Sequence, residues 1–172
     1  MKKIILLGYM GCGKSTIAKL LAEKVDFPYL DLDEIIEKRE NATVKNIFSE
    51  KGEIYFRKLE HDIFTELMKN QDSFIMSLGG GTPCYANNHE LLKGENVVSI
   101  YLKGSVETLY ERVRNENTQR PLIANKSPEE MKEFIAKNLF DRSFYYNQAQ
   151  HKINIDNKAI GSVVSEIETI LA

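Results

Sequence analysis

Two cysteines in 172 residues, Cys12 and Cys84, supply neither a disulfide framework nor a metal-binding pattern. A reduced, cytoplasmic setting is the expectation. An excess of either charge is missing too: 23 basic against 25 acidic residues give a formal net charge of −2. A nucleic-acid-binding domain would carry a basic surplus. No nucleic-acid partner is therefore expected, and any basic cluster should serve a local anion. Long apolar runs are also absent. Lys2 and Lys3 precede the apolar residues 4–7, a run far too short for the core of a signal peptide. No stretch approaches the roughly 20 apolar residues of a membrane span, so no membrane partner is expected. Internal repeats and low-complexity tracts are lacking. What remains is an ordinary globular composition, 42% hydrophobic and 28% charged, in a length that suits one domain with a sizeable core.

Short apolar runs at residues 4–7, 29–32, 74–78, 97–102 and 153–155 predict buried strands. Amphipathic stretches at 15–25, 53–69, 106–113, 129–146 and 160–171 predict helices between and after them. In the first, Ile17, Leu20, Leu21 and Val25 share a face. In the second, Phe56, Leu59, Ile63, Phe64 and Leu67 do so. Strands alternating with helices imply a parallel sheet covered on both faces. Ligands of such sheets bind beyond the carboxyl ends of the strands, which directs attention to the residues just after each run. Residues 115–127 are polar, contain Pro121 and show no apolar period. Such an insertion is either a surface loop or a lid. Arg120 favours the lid, because a moving arginine can close over a transferring phosphoryl group.

The first strand is followed by Gly8-Tyr9-Met10-Gly11-Cys12-Gly13-Lys14-Ser15. This is G-x-x-x-x-G-K-[ST] in its proper context, after a strand and before a helix. Glycines let backbone N–H groups converge on phosphate oxygens, and the helix start aims its positive end at the same anion. Lys14 adds a charge for the β- and γ-phosphates, and Ser15 offers an oxygen to Mg²⁺. The turn is built for a nucleoside triphosphate.

Asp31-Leu32-Asp33 closes the second strand. Residues two apart on a strand point the same way, so both carboxylates are expected to face the site while Leu32 points into the fold. Carboxylates suit Mg²⁺ and accept a proton from a substrate hydroxyl. For Asp33 alone, capping of a helix starting near Glu34 would serve as an explanation. Gly79, Gly80 and Gly81 follow the third strand, where a run of glycines makes sense if a ligand lies against bare backbone. That strand ends without an acid, so a metal-positioning carboxylate must come from elsewhere, and Asp31 is the nearest candidate in kind.

Arg57 has Glu53 at i−4 and Glu60 at i+3, a spacing that also suits surface ion pairs. Arg142 sits late in its helix beside Asp141. Arg112 and Arg114 flank Val113, and either can stack on an adenine. His61, His89 and His151 show no metal-ligand spacing. A redox role for Cys12 is not expected.

Taken in order, these residues make a combination more specific than the phosphate loop alone. GYMGCGKST at 8–16, DLD at 31–33, GEIYFRKLE at 52–60, SLGGGTP at 77–83, RPLI at 120–123, and Arg142 with Tyr145 and Tyr146 resemble the shikimate kinases. These are small members of the nucleoside monophosphate kinase-like P-loop family. The resemblance implies a three-layer α/β/α P-loop kinase with a five-stranded parallel sheet of order 2-3-1-4-5 and a mobile lid. It implies one domain over 1–172, with a substrate-binding segment at about 33–60 and the lid at about 112–127. ATP would be held by Gly11, Cys12, Gly13, Lys14, Ser15 and Thr16, by Arg120, and by Arg112 or Arg114. Ser15 and Asp31 would serve Mg²⁺, Asp31 through water. Asp33 would hold the acceptor hydroxyl, Arg57 and Arg142 would grip the substrate carboxylate, and Gly79, Gly80 and Gly81 would line the ring. Glu60 would orient Arg57. Lys14, Asp33 and Arg120 would be catalytic. The implied reaction is transfer of phosphate from ATP to the 3-hydroxyl of shikimate, on the route to aromatic amino acids, by a monomer. Phe144 departs from the family, which often has Pro there.

Other readings are a different small-molecule kinase, for gluconate or a nucleotide, and a non-catalytic ATP-binding regulator. Paired arginines and a glycine floor suit a compact carboxylate better than a second nucleotide. Asn125-Lys126-Ser127-Pro128 lacks the aspartate with which a GTPase would read guanine. Intact Lys14, Asp31, Asp33, Arg57 and Arg120 argue against a regulator that has lost turnover.

Overall fold

The computed structural model describes residues 1–116 and 125–172. Strands β1 (Lys3–Leu7), β2 (Tyr29–Asp31), β3 (Phe74–Ser77), β4 (Val97–Lys103) and β5 (His151–Asn154) form one sheet of order β2-β3-β1-β4-β5. Every pairing is parallel, as the alternation of elements implies. β1 lies at the centre, and Ile4, Ile5, Leu6 and Leu7 are all buried. A strand whose consecutive residues are buried has both faces covered, and each such side chain contributes about 2 kcal/mol of burial.

Helices α1 (Lys14–Val25), α2 (Leu32–Glu40), α3 (Val44–Lys69), α4 (Val106–Asn115), α5 (Pro128–Tyr146) and α6 (Ile160–Leu171) cover the sheet. α1 packs on β1, β3 and α6, α2 on α3, and α4 on α5. Two short 3-10 turns, Thr82–Cys84 and Asn88–Leu92, follow β3.

Several boundaries differ from the sequence expectation for identifiable reasons. β2 stops at Asp31 because its side chain caps α2, accepting from Glu34 N at 3.0 Å. α3 starts at Val44, capped by Thr43, and is interrupted at Gly52, whose φ of 85° is not helical. The expected start at residue 53 is therefore the start of the second helical run. β5 begins at His151, earlier than its apolar residues suggest. It is an edge strand in which only Ile153 is buried, so its apolar signal is short. On α1 the buried stripe is Ile17, Ala18, Leu21 and Ala22, which leaves Leu20, expected inside, 40% exposed.

Candidate active site

The phosphate loop joins β1 to α1 along the carboxyl edge of the sheet. Gly13 is the N-cap of α1 and adopts φ 92°, ψ 15°, a left-handed conformation that glycine enters without penalty. It has no side chain with which to cap, so the first-turn N–H groups and the positive helix end are left for an anion. Lys14 folds back over the loop and donates Nζ to the Gly8 and Tyr9 carbonyls at 2.7 and 3.1 Å. From α4, Arg112 donates Nη1 to the Cys12 carbonyl at 3.2 Å. Arg114 instead pairs with Glu111 at 2.8 Å and is half exposed. Of the two arginines tied on sequence, only Arg112 reaches the loop.

Asp31 stands where four elements meet. Its Oδ1 caps α2, and its Oδ2 accepts from Tyr29 Oη and Ser77 Oγ at 3.2 Å each and from Ser15 Oγ at 3.4 Å. The register that pairs Asp31 with Ser77 thus brings a carboxylate to the end of β3, the strand that lacks its own. Tyr29 and Ser77 were not singled out from sequence. The available signal was a hydroxyl closing an apolar strand just before a glycine run.

The two aspartates do not lie one pleat apart. Asp31 ends the strand, and Leu32 and Asp33 belong to the first turn of α2. Leu32 is buried as expected, but it is the helical turn that carries Asp33 toward the site. The capping role that sequence allowed for Asp33 falls to Asp31. Asp33 is held in a setting that disfavours its charge. Burial first, and then the negative charges of Asp31 and Glu60, push its carboxyl from the ordinary 3.8 to about 6, while Lys14 pulls the other way. A carboxyl poised near neutrality suits proton transfer at physiological pH.

The three glycines after β3 abut three different candidate site side chains. A Cβ at Gly79 would lie 3.1 Å from Asp33 Oδ1, at Gly80 3.2 Å from Arg142 Nη1, and at Gly81 2.7 Å from Arg57 Nη2. At Gly81 the φ of −94° is open to any residue, so a Cβ there would act only by displacing the Arg57 guanidinium. Arg57 is not the surface pair its spacing allowed. Its side chain is 17% exposed and its partner Glu60 only 1%, with Nη1 donating to Glu60 Oε1 at 2.9 Å. Its guanidinium lies 4.0 Å from the ring centre of Tyr85. Arg142 is half-buried, points at Tyr146 Oη at 3.5 Å and lies over the Tyr9 ring. Tyr146, fully buried, donates its hydroxyl to the Gly80 carbonyl at 2.6 Å. Phe144, where the family often has Pro, leaves Arg142 within reach of the floor.

A cavity of about 310 Å³ is lined by Gly11, Gly13, Lys14, Ser15, Thr16, Asp31, Asp33, Gly79 and Gly80, among others. It joins the phosphate loop to the acid and the glycine floor. Arg120 and residues 117–124 of the expected lid lie outside the described residues. His61 bonds Asn88, and His89 meets the rings of Phe144 and Tyr145 edge-on. Burial pushes the Cys84 thiol up to about 11, which makes it a poor nucleophile. Among the described residues no cluster of three or more His, Cys, Asp or Glu could hold a metal by itself. A hydroxyl and one carboxylate at the mouth of a phosphate loop do fit Mg²⁺, which keeps waters and draws further oxygens from substrate phosphates.

The sequence model of the family described as shikimate kinase matches residues 10–172. A shikimate kinase from Flavobacterium johnsoniae is 60% identical over 172 residues, covering 100% of both chains. The crystal structure of a shikimate kinase from Bacteroides thetaiotaomicron superposes with a TM-score of 0.89 at 35% identity, covering 99% of this chain and 98% of that one. A shikimate kinase from Acinetobacter baumannii, in complex with shikimate, superposes with a TM-score of 0.85 at 31% identity over 99% and 93%. With a family match across nearly its whole length and the phosphate loop, acid and glycine floor assembled around one cavity, the chain belongs to the shikimate kinase family.

Proposed function

We propose that this chain transfers the γ-phosphoryl group of ATP to the 3-hydroxyl of shikimate, and that its site residues divide the work as follows. The observation that carries the assignment is the row of glycines. Consecutive backbone positions 79, 80 and 81 are approached by Asp33, Arg142 and Arg57 in turn. On this reading the two arginines make a carboxylate-seeking end and Asp33 a hydroxyl-seeking end along one short stretch of backbone. Two guanidiniums bind a carboxylate with paired, charge-assisted hydrogen bonds, and Glu60 engages Arg57 through Nη1, which leaves Nη2 for a second acid. The carboxylate end of shikimate lies toward Arg57 and Arg142, and a ring hydroxyl lies at Asp33.

Asp33 accepts the proton of that hydroxyl as its oxygen attacks the γ-phosphorus. The bond from phosphorus to the β,γ-bridging oxygen breaks, and its electron pair leaves with ADP. Fixing a rigid ring at both ends aligns one oxygen with the phosphorus, and positioning supplies much of the rate in phosphoryl transfer. The loop amides, Lys14 and the α1 terminus hold the phosphates, and Arg112 flanks the loop on the nucleotide side. Ser15 and Asp31 are the residues that would hold Mg²⁺, which when bound neutralises phosphate charge. Arg120 is assigned to the phosphates on the sequence alone. The chain acts as a monomer in the cytoplasm on this reading.

The test is a coupled ADP-release assay with shikimate, gluconate and AMP supplied one at a time. Turnover with shikimate alone supports the assignment. Preference for gluconate or AMP replaces it with another small-molecule kinase, and ATP binding without turnover on any acceptor replaces it with a regulator.

A further inference from the structure

Thr82 opens the 3-10 turn behind the glycine floor and is fully buried. Its Oγ1 donates to Glu60 Oε2 at 2.8 Å, while Glu60 Oε1 accepts from Arg57 at 2.9 Å. One buried carboxylate thus holds the arginine with one oxygen and is itself held through the other. Behind Thr82 the chain of bonds continues. Asn88, also fully buried, donates Nδ2 to the Thr82 carbonyl at 2.9 Å, and its Oδ1 lies 2.7 Å from His61 Nδ1. The directions are forced by chemistry. A carbonyl only accepts, so the amide nitrogen of Asn88 faces Thr82 and its oxygen faces His61, whose Nδ1 must then carry a proton.

We propose that Thr82 is a positioning residue for Arg57, acting through Glu60, with Asn88 anchoring the turn that carries it. Arginine and carboxylate prefer a two-pronged pairing. Thr82 turns Oε2 toward itself, and Glu60 meets Arg57 through the one contact from Nη1. The Nη2 nitrogen of Arg57 is then left directed at Gly81, where a Cβ would meet it at 2.7 Å, and its buried Nε has no hydrogen-bond partner. Glu53 lies 3.7 Å from that Nε, beyond hydrogen-bond range, and its side chain is 55% exposed, so it constrains the guanidinium weakly. Thr82 thereby keeps donors of Arg57 available to a substrate carboxylate. This inference rests on the reading of Arg57 as a ligand of the shikimate carboxylate.

The experiment is steady-state kinetics of Thr82→Val and Thr82→Ser beside the wild type, with shikimate and ATP varied separately. Val removes the hydroxyl at nearly constant shape and frees Oε2 for the second arginine nitrogen. The expected result is a rise of about ten-fold in the KM for shikimate, the scale of one hydrogen bond to a charged group. The KM for ATP and kcat at saturation stay near wild type, and Ser restores the shikimate KM. A merely structural role lowers kcat with the active fraction and leaves both KM values unchanged, and that result overturns the proposal. So does a wild-type shikimate KM in the Val variant, or an equal rise in Val and Ser. Should Val fail to fold, Thr82→Cys, a weak donor of similar size, takes its place against Ser under the same criteria. Absence of shikimate turnover in the wild type removes the functional reading itself and this inference with it.

Discussion

Replacing Asp33 by Asn should make the ligand-free protein more stable while nearly abolishing turnover. Asp33 titrates near 6 rather than 3.8 because it is buried and faces Asp31 and Glu60. Its folded form therefore holds the proton more tightly than its unfolded form, and the ionised carboxylate destabilises the fold. A difference of about two pH units corresponds to about 3 kcal/mol. Relaxation of the neighbours reduces this, so a gain of about 1–3 kcal/mol is expected for the neutral amide. At this chain length each kcal/mol moves Tm by roughly 2–4 °C. The sign depends on pH. Above about pH 6 the wild type carries the full penalty and the variant's advantage is complete. As pH falls from 6 toward 4 the folded wild type takes up its proton and the advantage fades, and below 4 it is gone. The assay is thermal unfolding of both proteins without nucleotide at pH 8, 6 and 4, with ADP release measured at pH 8. ATP affinity should persist and kcat fall about 10²–10⁴-fold, the range for loss of a general base. A variant no more stable than wild type at pH 8 would refute the claim that Asp33 is a desolvated, like-charged acid.

The same acid predicts that kcat/KM for shikimate falls about ten-fold per pH unit below about pH 6, and that this limb is missing in the residual activity of Asp33→Asn. Arg57→Ala should weaken shikimate binding about a hundred-fold with ATP binding unchanged, measured by titration; wild-type affinity would contradict the carboxylate assignment. Gly81→Ala, placing a methyl 2.7 Å from Arg57 Nη2, should raise the shikimate KM about ten-fold without loss of fold, since its φ of −94° suits alanine. Asp31→Asn keeps a good cap for α2 but should raise the Mg²⁺ concentration needed for half-maximal rate several-fold; an unchanged Mg²⁺ dependence would remove Asp31 from that role.

The phosphate loop was legible because its chemistry is local: glycines, lysine and serine fall within eight residues, between an apolar run and an amphipathic stretch. The sheet order was legible through resemblance rather than through any run of residues. Other features depend on contacts between distant segments. That Asp31 would meet Ser77 follows from the β2–β3 register, and that it would meet Ser15 follows from the seating of α1 beside β2, neither of which a local pattern encodes. The placement of Asp33 was misread because a strand end and a helix start overlap at Asp31, where one side chain serves both. Arg57 was ambiguous because its spacing to Glu60 suits exposed and buried pairs alike, and only packing reveals that Glu60 is inside. Thr82 carried no signal of its own: a threonine after glycines reads as part of a turn until its partner across the fold is known. Arg112 and Arg114 were separable only once the direction of α4 relative to the loop was fixed.

Identification by NMR of the product formed from shikimate and ATP bears on the whole arrangement of guanidiniums, acid and phosphate loop. If carboxylate and hydroxyl are held at opposite ends as described, the phosphate appears on the 3-oxygen alone, in step with ADP release. Phosphate on another hydroxyl, or ADP released with shikimate left unmodified, would contradict it.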